Sequence, residues 1–130
     1  MNPAQYAEKG TEHAHQVALF MQFSLWFHKW PALKWAYAVP NGGNRDPITA
    51  ARLKAEGVKS GVSDICLPIA RQGYSGFYIE MKKPGGKESP TQKEFGLFVS
   101  SQNFLYKCCT SWKDAADAVE WYMTQTELPL

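Results

Sequence analysis

Two short apolar runs, residues 65–69 and 77–81, flank a turn rich in Gly and Ser (Gly73, Ser75, Gly76). This strand–turn–strand pattern constrains the chain more than any other stretch, because pairing two strands fixes which side chains share a face. With the turn centred on Gly73, Asp64 stands opposite Lys82 and Cys66 opposite Glu80. Side chains alternate along a strand with period two, so Glu80 and Lys82 project from one face, and Asp64 with them. The hairpin therefore gathers two carboxylates and an ammonium at one end. Carboxylates that close repel unless a cation lies between them, and hard oxygen donors suit Mg²⁺ or Mn²⁺.

A length of 130 residues suits one domain with one core. The net charge of +2 argues for no partner, but its distribution does. Residues 45–93 carry nine basic and five acidic side chains, a net +4, which leaves −2 for the remainder. A basic middle around a carboxylate pair fits a phosphate-bearing substrate; a solvated charged face is the alternative. The cysteines, Cys66, Cys108 and Cys109, are odd in number and follow no signal peptide, which points to a reducing compartment. Cys108 and Cys109 alternate faces on a strand and read as small core residues. No apolar run reaches the ~18 residues of a membrane span.

In chain order, residues 1–10 are polar and expected to fray. Thr11 caps a helix to about residue 29, with Ala14, Val17, Ala18, Met21 and Leu25 as its apolar stripe. Glu12 lies in its first turn, where the helix dipole favours a carboxylate. His13, His15 and His28 show no ligand spacing. Residues 35–39 read as a strand, and Pro40-Asn41-Gly42-Gly43-Asn44-Arg45 is either a tight turn or a loop whose amides and Arg45 approach phosphate. Asp46-Pro47 starts a helix through Glu56, with Ala50, Ala51 and Leu53 inward, Arg52 and Lys54 outward, and Gly57 as its stop. After the hairpin, Lys83-Pro84-Gly85-Gly86-Lys87 is a loop. Ser89-Pro90-Thr91-Gln92 is a capping box opening a helix to about residue 102 that buries Phe95, Phe98 and Val99. Residues 104–109 form a strand, and Ser111 caps a last helix carrying Ala115, Ala118, Val119 and Tyr122. The order predicts one α/β domain with a mixed sheet flanked by helices.

Asp followed across a turn by Glu-x-Lys suits phosphodiester hydrolysis. A metal held by carboxylates polarises a phosphoryl oxygen and activates water, and an ammonium orients that water or stabilises developing charge. Glu-x-Lys alone is frequent by chance. The combination here is more specific: Glu12 with Gln16, Pro40-Asn41-Gly42-Gly43, Leu53-Lys54-Ala55-Glu56-Gly57-Val58, Gly61-Val62-Ser63-Asp64, Phe77-Tyr78-Ile79-Glu80-Met81-Lys82 and Ser89-Pro90-Thr91-Gln92. Together they resemble the virus-type replication–repair (VRR) nuclease domain, a branch of the PD-(D/E)xK nuclease superfamily, across most of the chain.

The resemblance implies a restriction-endonuclease-like core spanning residues 11–130. It implies metal ligands at Glu12, Asp64, Glu80 and the backbone carbonyl of Met81, with Lys82 as catalytic lysine. Gln92 matches a family glutamine at the active-site edge, although the capping box explains it as well. Ser63 replaces the family's Pro before the Asp, a structural position. Arg45, Arg52, Lys54, Lys83 and Lys87 are the expected DNA contacts. The stand-alone type implies a cytoplasmic, bacterial or phage-encoded homodimer that cuts branched DNA, four-way (Holliday) junctions above all. The rival readings are a general, flap or restriction-like nuclease and a non-catalytic DNA-binding protein.

Overall fold

A computed structural model describes residues 1–40 and 46–127. The helices are α1 (Pro3–Ala7), α2 (Glu12–Leu25), α3 (Pro47–Ala55), α4 (Pro90–Ser101) and α5 (Trp112–Met123), with a 3-10 turn at Pro31–Trp35. The strands are β1 (Tyr37–Ala38), β2 (Ile65–Leu67), β3 (Phe77–Met81) and β4 (Leu105–Cys109). They form one sheet in the order β1-β2-β3-β4. The β1–β2 and β2–β3 pairs are antiparallel and β3–β4 is parallel. The parallel pair requires a crossover, which α4 supplies. The expected mixed sheet flanked by helices is thus present, and among the described residues no helix is long and apolar enough to cross a membrane.

Period two divides the sheet into two functional faces. Ile65, Leu67, Phe77, Ile79 and Met81 point into a core closed by Leu19 and Phe23 of α2 and Val119 and Tyr122 of α5. The Tyr122 hydroxyl donates to the Ile69 carbonyl at 2.6 Å and ties α5 to the hairpin. On the opposite face, Tyr78 meets Phe95 of α4 edge-on, with ring centroids 5.1 Å apart. Cys66, Glu80 and Lys82 share the parity of Tyr78 and so belong to this α4 side. The three cysteines are free thiols, Cys66 and Cys109 buried and Cys108 half-buried.

The hairpin register differs from expectation. Cys66 pairs with Tyr78, not Glu80, and one step further along the same register Asp64 faces Glu80, not Lys82. The tight turn is centred between Gln72 and Gly73, because Arg71 and Tyr74 exchange backbone hydrogen bonds of 3.1 and 2.8 Å. One more residue follows β2 than precedes β3, which moves the register further. The total slip is two residues, and a slip of two leaves every side chain on its expected face.

Other boundaries move for local reasons. Residues 1–10 contain a short helix, α1: Asn2 caps it through a reciprocal capping box with Gln5, and Pro3 and Ala7 are buried. Helix α2 stops at Leu25, where the chain turns into the 3-10 segment and Trp26 packs edge-on against Trp30. Strand β1 has two residues instead of five. In α3 the expected inward face is reduced to Leu53, which is half-buried: Ala50 and Ala51 are exposed, and no residue of the helix is fully buried. Two alanine methyls carry little apolar area with which to dock a helix. Phe98 is 61% exposed, because the inward line of α4 runs through Gly96 and Val99. The Asn41–Arg45 part of the expected turn, with its DNA-contact candidate Arg45, lies outside the described residues.

Gly96 allows α4 to lie directly on β4. A Cβ there would stand 2.6 Å from the Tyr106 ring. Gly96→Ala should therefore lower unfolding free energy by about 1–3 kcal/mol, despite alanine's better helix propensity. Urea unfolding checks this, and a stabilised variant would show that α4 is not held by that close approach.

Candidate active site

The site forms where β3 leaves the sheet, beneath the first turn of α4. Glu80 is 1% exposed. Its Oε1 accepts a hydrogen bond from Gln92 Nε2 at 2.9 Å and lies 3.7 Å from Lys82 Nζ. Its Oε2 is buried with no hydrogen-bond partner. Asp64 enters from the β2 side and is held twice. Its Oδ2 accepts the Met81 N–H at 2.8 Å, and its carbonyl accepts the Val39 N–H at 2.7 Å. The Met81 side chain is buried in the core on the other face, so at the site this residue contributes backbone alone.

Burial first, then the charge of Asp64, pushes the Glu80 carboxyl up to about 8; Lys82 opposes the shift and Glu12 adds to it. Two ionised carboxylates offer each other no hydrogen, so the pair needs either a shared proton or a cation. Glu12, at the start of α2, is exposed as a residue. Lost hydration, then Asp64, raises its carboxyl, while Lys82 and Lys83 pull it down. Glu12 thus belongs to the same electrostatic group as Asp64, Glu80 and Lys82. Among the described residues, however, no three His, Cys, Asp or Glu side chains converge tightly enough to hold a metal ion by themselves. An ion here would rest on the Asp64–Glu80 pair and draw further oxygens from backbone or water.

The α4 turn is fixed by its own sequence. Ser89 Oγ accepts the Gln92 N–H at 3.2 Å, and Gln92 Oε1 accepts the Ser89 N–H at 2.8 Å. Beside it, Gly61 packs against Thr91: a Cβ on Gly61 would stand 2.7 Å from the Thr91 carbonyl oxygen. Gly61 adopts φ +85°, a region open to glycine, and leads into Asp64 three residues on. The sequence showed the capping box, but nothing in it announced that Thr91 would press on Gly61.

The basic candidates lie around this centre. Lys83 and Lys87 are exposed on the loop after β3. Arg52 and Lys54 are exposed on α3, where Arg52 Nε lies 4.0 Å from Glu56 Oε2. A cavity of about 820 Å³ opens between α2 and β1, with Glu12, Gln16, Phe20, Val39 and Asp64 among its lining residues. Glu80, Lys82 and Gln92 do not line it. His15 has a structural role, since its Nδ1 accepts the Trp112 N–H at 2.9 Å in the first turn of α5.

The family model of the VRR-NUC domain matches residues 3–113. A solved structure described as a VRR_NUC domain protein superposes with a TM-score of 0.76, covering 92% of this chain and 93% of its own, at 22% sequence identity. At that identity the likeness speaks for the fold. No curated protein matches the chain significantly. With the family match spanning most of its length, the chain belongs to the VRR-NUC domain family and is a nuclease of the PD-(D/E)xK type.

Proposed function

We propose that this nuclease is a divalent-cation-dependent endodeoxyribonuclease acting on branched DNA, with four-way junctions as preferred substrate and a homodimer as working unit. The observation that carries the reading is the buried Glu80 carboxyl, with Oε1 engaged by Gln92 and Lys82, Oε2 buried with no donor from the protein, and the charge of Asp64 acting on the group. In the metal-free protein a proton shared with Asp64 meets the need of this pair; a hard cation can take its place, and Mg²⁺ or Mn²⁺ suits an all-oxygen donor set.

Asp64 and Glu80 would hold the ion, with the Met81 carbonyl as a further ligand and Glu12 reaching it through water. When bound, it would polarise a phosphoryl oxygen and lower the pKa of an attacking water. Lys82, half-buried and beside Glu80, orients that water or stabilises charge on the phosphate. Lys83 and Lys87, with Arg52, Lys54 and Arg45, would contact the DNA backbone, positioning the substrate without reading bases. Trp35, 66% exposed, adjoins the edge strand β1, which supports a self-association surface there. A two-fold dimer would present two sites for paired nicks. A DNA-binding protein without catalysis gains little from acids facing phosphate.

Cleavage of a four-way junction, a 5′ flap, linear duplex and single strand, with Mg²⁺ or Mn²⁺ and Glu80→Ala as control, tests the proposal. Paired symmetric nicks in the junction, absent in the control, are expected. Preference for flap or duplex would replace the junction reading with the general one, and no metal-dependent cutting would overturn it. Lys82→Ala should fold and bind DNA, yet cut about a hundredfold more slowly or worse. Wild-type single-turnover rates in that variant would remove Lys82 from the chemistry.

The raised Glu80 carboxyl also predicts a pH dependence. Between pH 4.5 and about 8 the unfolded chain has released this proton while the folded chain keeps it. The metal-free protein should therefore lose stability as pH rises through that window and level off above it. Glu80→Gln should flatten the fall in thermal melts across pH. Mn²⁺ should stabilise wild type more at pH 8 than at pH 5, because proton and cation compete for the same carboxylate.

A further inference from the structure

We propose that Gln92 is a positioning residue for Glu80, and that its side-chain amide decides which oxygen of Glu80 is left to meet a divalent cation. The inference rests on the cation-dependent reading above.

The amide of Gln92 has one orientation open to it. The Ser89 N–H donates to Gln92 at 2.8 Å and so requires the carbonyl oxygen there. The amino group then points to Glu80 Oε1, to which it donates at 2.9 Å. A flipped amide would set donor against donor at Ser89 and acceptor against carboxylate at Glu80. Lys82 Nζ approaches the same Oε1, at 3.7 Å. Both donors therefore converge on one oxygen, and Oε2 stays buried without a partner. With its Oε1 turned to the Ser89 N–H, the Gln92 amide presents its amino group, not its oxygen, to Glu80.

Residue choice agrees. Glutamate at this helix position completes a capping box as well as glutamine does. Glutamine alone also offers an N–H to a neighbouring carboxylate. The adjacent Thr91 presses on Gly61, three residues before Asp64, so one helical turn touches both carboxylate-bearing segments.

Two substitutions separate positioning from capping. Gln92→Ala and Ser89→Ala each remove a capping-box hydrogen bond, so each should lower the metal-free melting temperature. Ser89→Ala keeps the backbone N–H that orients Gln92, and with it the donor to Glu80. Mn²⁺ affinity, measured by calorimetry on the metal-free protein, should fall about tenfold to a hundredfold in Gln92→Ala and stay at the wild-type value in Ser89→Ala. In cleavage, Gln92→Ala should lower kcat and leave KM for DNA unchanged. Equal Mn²⁺ affinity in wild type and Gln92→Ala, or equal losses in the two variants, would overturn the inference and leave Gln92 as a helix cap. Failure of the wild-type protein to bind Mn²⁺ would overturn the cation reading, and the inference with it.

Discussion

Moving a carboxylate out of water costs several kcal/mol unless it is protonated, hydrogen-bonded or paired, and Glu80 is 1% exposed on an inner strand. Much of the surrounding structure answers that constraint. The β2 strand delivers Asp64 opposite Glu80, and the ladder continues past β2 through the Val39 N–H to the Asp64 carbonyl. The α4 crossover brings Gln92 over the end of β3. Lys82, two residues on, returns its ammonium to the same carboxylate. Gln92 and Lys82 lower the cost of charge on Glu80, whereas burial and the like charge of Asp64 raise it, and the balance leaves the carboxyl raised.

The same strand serves core and site by alternation. Ile79 and Met81 fill the interior against α2 and α5, while Glu80 and Lys82 between and beyond them face the candidate site. Met81 joins the two roles, with its side chain in the core and its amide holding Asp64. Packing on one face of the sheet therefore sets geometry on the other. A cavity made under Met81 would be felt at Asp64 although no site residue had changed.

Legibility in the sequence followed the range of the forces involved. Helix starts at Thr11, Asp46, Ser89 and Ser111 were readable because capping is settled within three residues. The face shared by Asp64, Glu80 and Lys82 was readable because strand parity survives a register slip of two. The register itself was not, since the additional residue between β2 and the turn has no composition signal of its own. Phe98 and Ala50 lie outward, against the expectation, for a longer-range reason: which side of a helix is buried depends on what arrives opposite it. For α4 that was Tyr106, which meets Gly96 and so turned Phe98 outward. The Gln92 side chain, bonded to both Ser89 and Glu80, lay between these extremes. Its cap was visible in four residues, whereas its partner twelve positions upstream needed the fold.

The arrangement of helices around the sheet has an electrostatic result that no charge count shows. Glu12 opens α2 at the rim of the groove it shares with Asp64. Gln92 lies in the first turn of α4 and binds Glu80. The first turn of α5 meets the first turn of α2 through Trp112 and His15. Three helices thus begin at the edge of the sheet where the acids gather, and each helix start is equivalent to roughly half a positive charge. These partial charges belong to the peptide backbone and do not titrate. They persist when a lysine is substituted or deprotonated, and they counter the carboxylates across the whole pH range in which the protein is folded. An anionic polymer approaching that edge meets a potential written partly in the direction of the chain itself.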